Sequence, residues 1–472
     1  MTIQIQDSQI EAIIQQVLAQ VNTNGSQGVM PRAAHYRGVF ATPDEAVKAA
    51  TAALAKFRRV SLTQRKAIIQ AMRDTAIENA QKLAQLAVEE TGMGRVSDKV
   101  LKHLLVAEKT PGVEFLPNDA YAGDDGLTLE ECAPFGVILA ITPVTNPIAT
   151  VINNAISMVA AGNTVVFAPH PASQQSSLTT MDLLNEAIEN AGGPPNLLVA
   201  VQEATIETAQ ALLNLPGIPL ICTTGGPAVV DASLSCGKRA IGAAAGNPPA
   251  LVDDTADPEK AARDIILGHS FDNNMPCTSE KEVVVTAGIA DALMNAFRKA
   301  DNAHVLDPGM LPQLEQVVLN AKRSGPNRKY IGQNASVILA ELGIAADENM
   351  RTVVVEVDKD HPFVRHELMM PVLGVVRVRD FEEGVNVAVE VEAGLRHSAI
   401  IHSSNIYHMS EYGRAINTSV FVKNAPSYAG LGFGGEGHTS FTIAGRTGEG
   451  MTTARTFTRI RRCALVGAFS AV

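Results

Sequence analysis

Short runs of β-branched and apolar residues alternate with helix-like stretches through most of this chain, and that alternation limits its fold more than any other feature. Residues 137–142, 164–168, 197–201, 219–224 and 239–243 read as strands, separated by helical stretches such as 149–161 and 177–191. Strands that alternate with helices pair in parallel, with helices covering a doubly wound sheet. Ligands of such sheets sit at the carboxyl ends of the strands, which here carry TPVTNP, PHPAS and TGGPA. A second α/β unit follows Pro249, with strands expected at 282–285, 352–357, 374–378, 398–402 and 419–423 and helices at 290–300, 312–321 and 381–392. Ahead of both, 43–55, 62–89 and 96–107 read as helices, and near the end 439–443 and 456–466 read as strands. A chain of 472 residues with 46% hydrophobic content can bury large cores and divides into two or three domains.

The decapeptide DNNMPCTSEK, residues 272–281, sets one cysteine in a polar turn between a helix and a strand. A thiol in such a turn can meet a substrate, and neighbouring backbone N–H groups favour its thiolate, the species that attacks a carbonyl. Pro276 stiffens the turn, Asn273 and Asn274 offer polar side chains, and the apolar run begins only after Lys281. Cys277 is therefore the candidate nucleophile; the alternative is a buried structural cysteine. With Cys132, Cys222, Cys236 and Cys463 it makes an odd, scattered set without a CxxC pair. That pattern indicates neither a disulfide framework nor a zinc site, so no metal is expected and the compartment is reducing, the cytoplasm. A net charge of -11 argues against nucleic-acid or anionic-membrane partners. No apolar run reaches the length of a membrane span, and no basic residue precedes Arg32, as a secretory signal would require.

Ile10, Ile13, Ile14, Val17, Leu18 and Val21 recur at helical spacing, so 1–21 reads as an amphipathic helix. Residues 22–38, rich in Asn, Gly, Ser and Gln, read as its linker. The apolar face either folds back on its own domain or lies in a partner's groove. No GxGxxG fingerprint is present. Thr224, Gly225 and Gly226 nevertheless close a strand and open a helix, where backbone N–H groups can face a pyrophosphate; a plain turn is the alternative. Gly430, Gly432, Gly434, Gly435 and Gly437 admit a close ligand or form an ordinary loop.

Taken together, FDNNMPCTSEK, TPVTNPIATVINNAIS, FAPHP, AAGNPP, ELMMPVL, GGEG and TGEGMTTARTF resemble the aldehyde dehydrogenases of the CoA-acylating branch, above all the propionaldehyde dehydrogenases of bacterial microcompartments. The resemblance spans essentially the whole chain. It implies an α/β, aldehyde dehydrogenase-like fold: a Rossmann-type NAD/CoA-binding domain at 39–242, a catalytic domain at 243–437, and a β oligomerisation flap built from 118–134 and the carboxyl-terminal segment 438–472. It implies that Cys277 is the catalytic thiol, that the Asn146 amide and the Cys277 N–H form an oxyanion hole, and that Glu367 holds the nicotinamide ribose. The remaining cofactor contacts fall on Thr142, Pro143, Thr145, His170, Pro171, Thr224, Gly225 and Gly226. His397, in GLRHSAIIHS, resembles a histidine near the site that assists proton movement or CoA deprotonation.

Two departures from the hydrolytic members bear on the product. Their water-activating glutamate falls in a segment that here reads IGAAAG, 241–246, with no carboxylate. The acyl-enzyme then waits for a better nucleophile, and the thiol of coenzyme A is one. In FAPHP the usual lysine and glutamate that clamp the adenosine ribose are replaced by Ala168 and Pro171, leaving His170 at the adenosine edge and a pocket that admits NAD and CoA by turns. Relatives mostly show Gly-Ala-Gly before Asn247, whereas Ala244 here adds a methyl group. Ser427, Tyr428 and Phe433 look closer to propionaldehyde enzymes than to acetaldehyde ones, although one methylene discriminates by only about 1–3 kcal/mol and both aldehydes should react. The resemblance also implies a shell-protein partner for 1–21, a microcompartment lumen, and a homodimer or homotetramer. The alternatives are an acetaldehyde-specific acylating enzyme, a hydrolytic NAD(P)-dependent dehydrogenase, a redox-independent cysteine acyltransferase or hydrolase, and a silent shell-binding protein.

Overall fold

The structure, a computed structural model, describes residues 36–468, so the predicted 1–21 helix and all but the last three residues of its linker lie outside the described residues. From β1 (Val39–Phe40) the chain enters a helix at Pro43–Phe57, opened by a reciprocal cap between Thr42 and Glu45. The helix predicted over 62–89 is two, Leu62–Glu78 and Ala80–Thr91. Asn79 makes the break: its backbone leaves the helical region at φ -98° and ψ 5°, and its side-chain amide joins its own N–H on the Thr75 carbonyl, at 2.9 and 3.1 Å. A fourth helix, Val96–Lys109, leads to the hairpin β2 (Asp119–Gly123) and β3 (Gly126–Pro134).

The first large sheet adds β4 (Val137–Thr142), β5 (Thr164–Pro169), β6 (Leu198–Val201), β7 (Leu220–Thr224) and β8 (Arg239–Ala243), all parallel, in the order β1-β6-β5-β4-β7-β8. The chain runs outward from β4 through β5 and β6, then returns to the other side for β7 and β8. This reversal opens a ligand crevice at the carboxyl ends of the strands. Every residue of β4, β5 and β6 is buried, as expected for parallel strands covered on both faces. The helix between β4 and β5, Pro147–Ala160, is buried at every position, so its asparagines bond inside the protein.

The second sheet is also parallel, in the order β11-β12-β13-β10-β9-β14-β15. Its strands are β9 (Pro249–Val252), β10 (Glu282–Thr286), β11 (Ala303–Val305), β12 (Thr352–Glu356), β13 (Val372–Val378), β14 (Ser398–His402) and β15 (Val420–Lys423). Helices Pro258–Ser270 and Ala287–Lys299 pack Ile265, Leu293 and Phe297 on one face. Helices Phe381–Glu392 and Ile406–Ile416 pack Ala388, Tyr412 and Ile416 on the other.

The strand predicted at 439–443 is mostly irregular, with only β16 (Ile443–Ala444) and β17 (Gly450–Met451) pairing. Its backbone is satisfied elsewhere: Phe441 N–H donates to Asn153 Oδ1 of the buried helix at 3.2 Å, and Thr439 N–H to the Lys109 carbonyl. The last strand, β18 (Thr458–Val466), pairs along its whole length with β3 in the antiparallel sheet β18-β3-β2. Tyr121, Ile460, Leu465 and Val466 are exposed on that sheet.

Candidate active site

The turn that carries Cys277 is held in an unusual backbone conformation. Asp272, Asn273 and Asn274 have φ of 48°, 55° and 64°, three successive residues in the left-handed region. Asp and Asn tolerate that region best among side chains with a Cβ, which explains DNN at this point. Each side chain is also tied down. Asp272 Oδ1 accepts from Arg95 N–H at 2.7 Å and Oδ2 from Lys99 at 3.0 Å and from Lys102. Asn273 donates to the Gly332 carbonyl and Asn334 Oδ1, both at 2.8 Å, and accepts from Arg95 Nε. Asn274 donates to the carbonyls of His269 and Glu280 and accepts from Lys281 Nζ at 2.7 Å.

This network corrects the expectation of a solvated turn. Every residue from 271 to 282 is buried except Cys277, which is half-buried. The polar groups face one another rather than water, and that burial also overturns the expected thiolate. Burial first, and the Glu367 carboxylate second, push the Cys277 thiol up to about 12, while Lys281, a backbone N–H and Lys102 pull the other way. The resting group is a thiol. Glu367, whose own carboxyl is raised by burial, lies 3.5 Å from Lys281 Nζ and accepts the Gly246 N–H. It is no surface glutamate, with a side chain only 15% exposed.

Asn146, 8% exposed, is the N-cap of the buried helix. Its Nδ2 has only long contacts, 3.4 Å to the Met275 carbonyl and 3.4 Å to Thr145 Oγ1, while its Oδ1 accepts from Lys102 Nζ. His397 shares a 2.8 Å hydrogen bond between Nδ1 and Ser398 Oγ, and its buried Nε2 has no partner among the described residues. Burial, with help from Lys281, pulls its pKa down to about 4, so the ring is neutral near pH 7. Gly246 lies between these groups: a Cβ there would sit 2.8 Å from the Cys277 carbonyl oxygen and 2.8 Å from the His397 ring. Only glycine lets the nucleophile's backbone and the imidazole approach the same point. Ser427 N–H donates to Glu280 Oε1 at 2.9 Å, and the rings of Tyr428 and Phe433 lie 5.4 and 6.0 Å from Phe271, so all three predicted discriminating positions touch the nucleophile turn.

The cofactor positions gather at the carboxyl ends of the first sheet. Thr142 is buried with Oγ1 unpartnered among the described residues, and its carbonyl accepts from His170 N–H at 3.1 Å, tying β4 to β5; Pro143 and Thr145 are half-buried. His170 Nδ1 accepts from Ala172 N–H at 3.1 Å and caps the single turn that starts at Pro171. Between β5 and β6 lies a crevice lined by Pro169, Val201, Glu203, Ala204, Thr205 and Leu212. His170 and Pro171 stand beside it. Glu203 and Thr205 carry no motif, and their place after β6 was the one available signal. The expected open TGG loop is partly closed, because the ladder between β7 and β8 runs one residue further. Gly225 N–H donates to the Ala243 carbonyl at 3.1 Å, and Thr224 Oγ1 bonds Thr442 Oγ1 at 2.9 Å. Gly226 remains at the start of the helix Pro227–Ser235. The crevice, with Glu203 among mostly apolar lining residues, fits the adenosine end of a nucleotide cofactor, and the Thr142 hydroxyl at the end of β4 fits its pyrophosphate.

Among the described residues no helix is long and apolar enough to cross a membrane. The profile of the aldehyde dehydrogenase family matches residues 33–461. The acetaldehyde dehydrogenase (acetylating) EutE of Salmonella typhimurium is 48% identical over 468 residues, 98% of this chain and 99% of that one. A propionaldehyde dehydrogenase from the fucose utilisation bacterial microcompartment of Clostridium phytofermentans is similar in structure, with a TM-score of 0.90, 50% identity, and coverage of 92% of this chain and 100% of that one. The Rhodopseudomonas palustris propionaldehyde dehydrogenase, solved with bound CoA and an acylated cysteine, has a TM-score of 0.89 at 48% identity, covering 91% of this chain and 98% of that one.

Proposed function

The chain belongs to the aldehyde dehydrogenase family, and from that premise we propose that it converts propionaldehyde, and acetaldehyde as well, to the acyl-CoA through a thioester on Cys277, with NAD as oxidant and CoA as acceptor. The observation that carries this reading is the contact of Gly246 with the Cys277 carbonyl, in a segment 241–246 that holds no carboxylate to activate water.

The Cys277 thiol gives its proton to solvent, and attack by the sulfur forms the S–C bond and turns the aldehyde oxygen into an oxyanion that the Asn146 amide and the Cys277 N–H hold. Lys281 and Lys102 favour loss of the thiol proton. Bound NAD supplies the acceptor for the hydride that leaves the same carbon. Glu367 would hold the ribose hydroxyls of that cofactor, Thr142, Pro143, Thr145 and Gly226 would border its pyrophosphate, and His170, Pro171 and Glu203 would flank its adenosine. The acyl group then stays on sulfur until a second thiol arrives. His397, neutral and with Nε2 free, takes the proton of that thiol, and the Cys277 S–C bond breaks as the new thioester forms. The order is ping-pong.

In this reading 39–242 forms the nucleotide domain and 243–437 the catalytic domain, with the flap from 118–134 and 438–472 joining a homodimer or homotetramer. The exposed Tyr121, Ile460, Leu465 and Val466 support that assembly. The microcompartment relative supports a lumenal location, and the amphipathic spacing of 1–21 supports a shell protein as that segment's partner. Deleting 1–21 should leave activity intact and abolish co-purification with shell proteins.

The enzyme is tested by incubation with propionaldehyde, NAD and CoA, following NADH and identifying the product. Propionyl-CoA is expected. Propionate would restore a hydrolytic enzyme, and absence of NADH would point to a redox-independent acyltransferase.

A further inference from the structure

Two lysines share one carboxylate beneath the nucleophile turn, and only one of them does anything else. Lys99 and Lys102 stand three residues apart on the helix Val96–Lys109, so both reach the same face. Both bind Asp272 Oδ2, with side chains 3% and 2% exposed. Lys102 alone continues, donating to Asn146 Oδ1 at 2.5 Å. A buried ammonium is expensive, and one carboxylate suffices to hold one of them. The second has a further use in this fold.

That use follows from the chemistry of an amide. An ammonium has donors and no acceptor, so the Asn146 atom facing it has to be the carbonyl oxygen. In a planar amide the NH2 group then points the other way, toward the Met275 carbonyl, two residues before the thiol. Both Nδ2 contacts are 3.4 Å, too long to fix the amide without the lysine. We propose that Lys102 is the positioning residue of the oxyanion hole, locking the Asn146 amide with its N–H groups toward the nucleophile turn and holding the start of the buried helix in register with Asp272. Without that cation the two ends of the amide are nearly isosteric, and the flipped form presents an oxygen to the developing oxyanion. The inference rests on Asn146 being an oxyanion donor, as in the reading above.

Lys99 provides the comparison. Lys102→Met and Lys99→Met each leave Asp272 paired with one lysine, but only the first frees Asn146. With acyl-CoA formation and melting measured on the full chain, Lys102→Met should lower kcat by about tenfold or more with KM for aldehyde changed less than about threefold, a fraction of the roughly 10²–10³ that one oxyanion donor supplies. Lys99→Met should stay within about threefold of the parent. In the Asn146→Ala background, Lys102→Met should cost no more than about threefold, the share left to its weak pull on the Cys277 thiol, because the amide it positions is gone. Equal losses in the two lysine variants, or multiplicative losses with Asn146→Ala, would reduce Lys102 to a structural ion pair and overturn the proposal. If Lys102→Met does not fold, Lys102→Gln enters the same comparison, since its neutral amide faces Asn146 with either end. A full rate in Asn146→Ala overturns this inference and the oxyanion role together, whereas a parent enzyme that releases propionate instead of propionyl-CoA removes only the CoA half of the function.

Discussion

The two sides of the site are built to different standards. On the nucleophile side, Asp272, Asn273 and Asn274 are buried, held at positive φ and bound through every side chain, and Lys102 beneath them reaches across to Asn146. On the cofactor side, the crevice between β5 and β6 is lined mostly by apolar residues, His170 is exposed, and Thr224 and Gly225 bond to Thr442 and to Ala243 of β8. The difference follows from what each side has to do. Carbonyl attack requires reacting groups within a few tenths of an ångström, and residues held at about 1–3 kcal/mol of strain each are the means of holding them. A pocket that takes NAD and then CoA in a ping-pong cycle gains from gripping neither strongly.

The largest effect that could break this contrast is in thiol chemistry. With Cys277 pushed up to about 12, the thiolate fraction rises tenfold per pH unit, so alkylation of Cys277 in cofactor-free enzyme, read by peptide mass mapping, should climb about 10³-fold from pH 7 to pH 10 without a plateau. A plateau near pH 8 would mean a solvated turn. Next, Asn146→Ala should lower kcat by roughly 10²–10³ with little change in KM in steady-state kinetics. His397→Ala should leave the first burst of NADH intact and slow acyl transfer to CoA by roughly 10², a difference rapid mixing resolves. Because burial holds its pKa near 4, loss of activity on acidification should show no inflection near 6.5 that depends on His397. The smallest changes belong to the cofactor side: His170→Ala and Glu203→Gln should shift KM for NAD by less than about tenfold and leave kcat near the parent value. A hundredfold loss there would remove the contrast.

The sequence carried the strands well where composition and punctuation agreed. Residues 137–141 form an unbroken apolar run that Thr142 closes between Gly136 and Pro143, and β4 occupies 137–142; β8 and β14 also fall on their predicted ranges. It failed where a strand is short or begins with proline, as at β9, Pro249–Val252, which is nevertheless paired on both sides in the second sheet. The break at Asn79 was hidden because it turns the backbone at a single residue without disturbing the apolar period. Within the site, Cys277, Asn146 and Glu367 stood out through their neighbours in sequence. Lys102 did not, because its partners lie 44 and 170 residues away and an Asp-Lys-x-x-Lys stretch on a helix looks like a solvated face. The same distance hid the burial of the turn: DNN reads as polar, and only the fold shows that its partners are protein groups rather than water.

The central claim is that an acyl group on Cys277 waits for a thiol and ignores water. Intact mass spectrometry of the enzyme after propionaldehyde and NAD, first without and then with CoA, tests it directly. The account predicts a propionyl adduct on Cys277 that persists until CoA is added and then leaves as propionyl-CoA. An adduct that decays to propionate at the same rate with or without CoA, or no adduct on Cys277 at all, would contradict it.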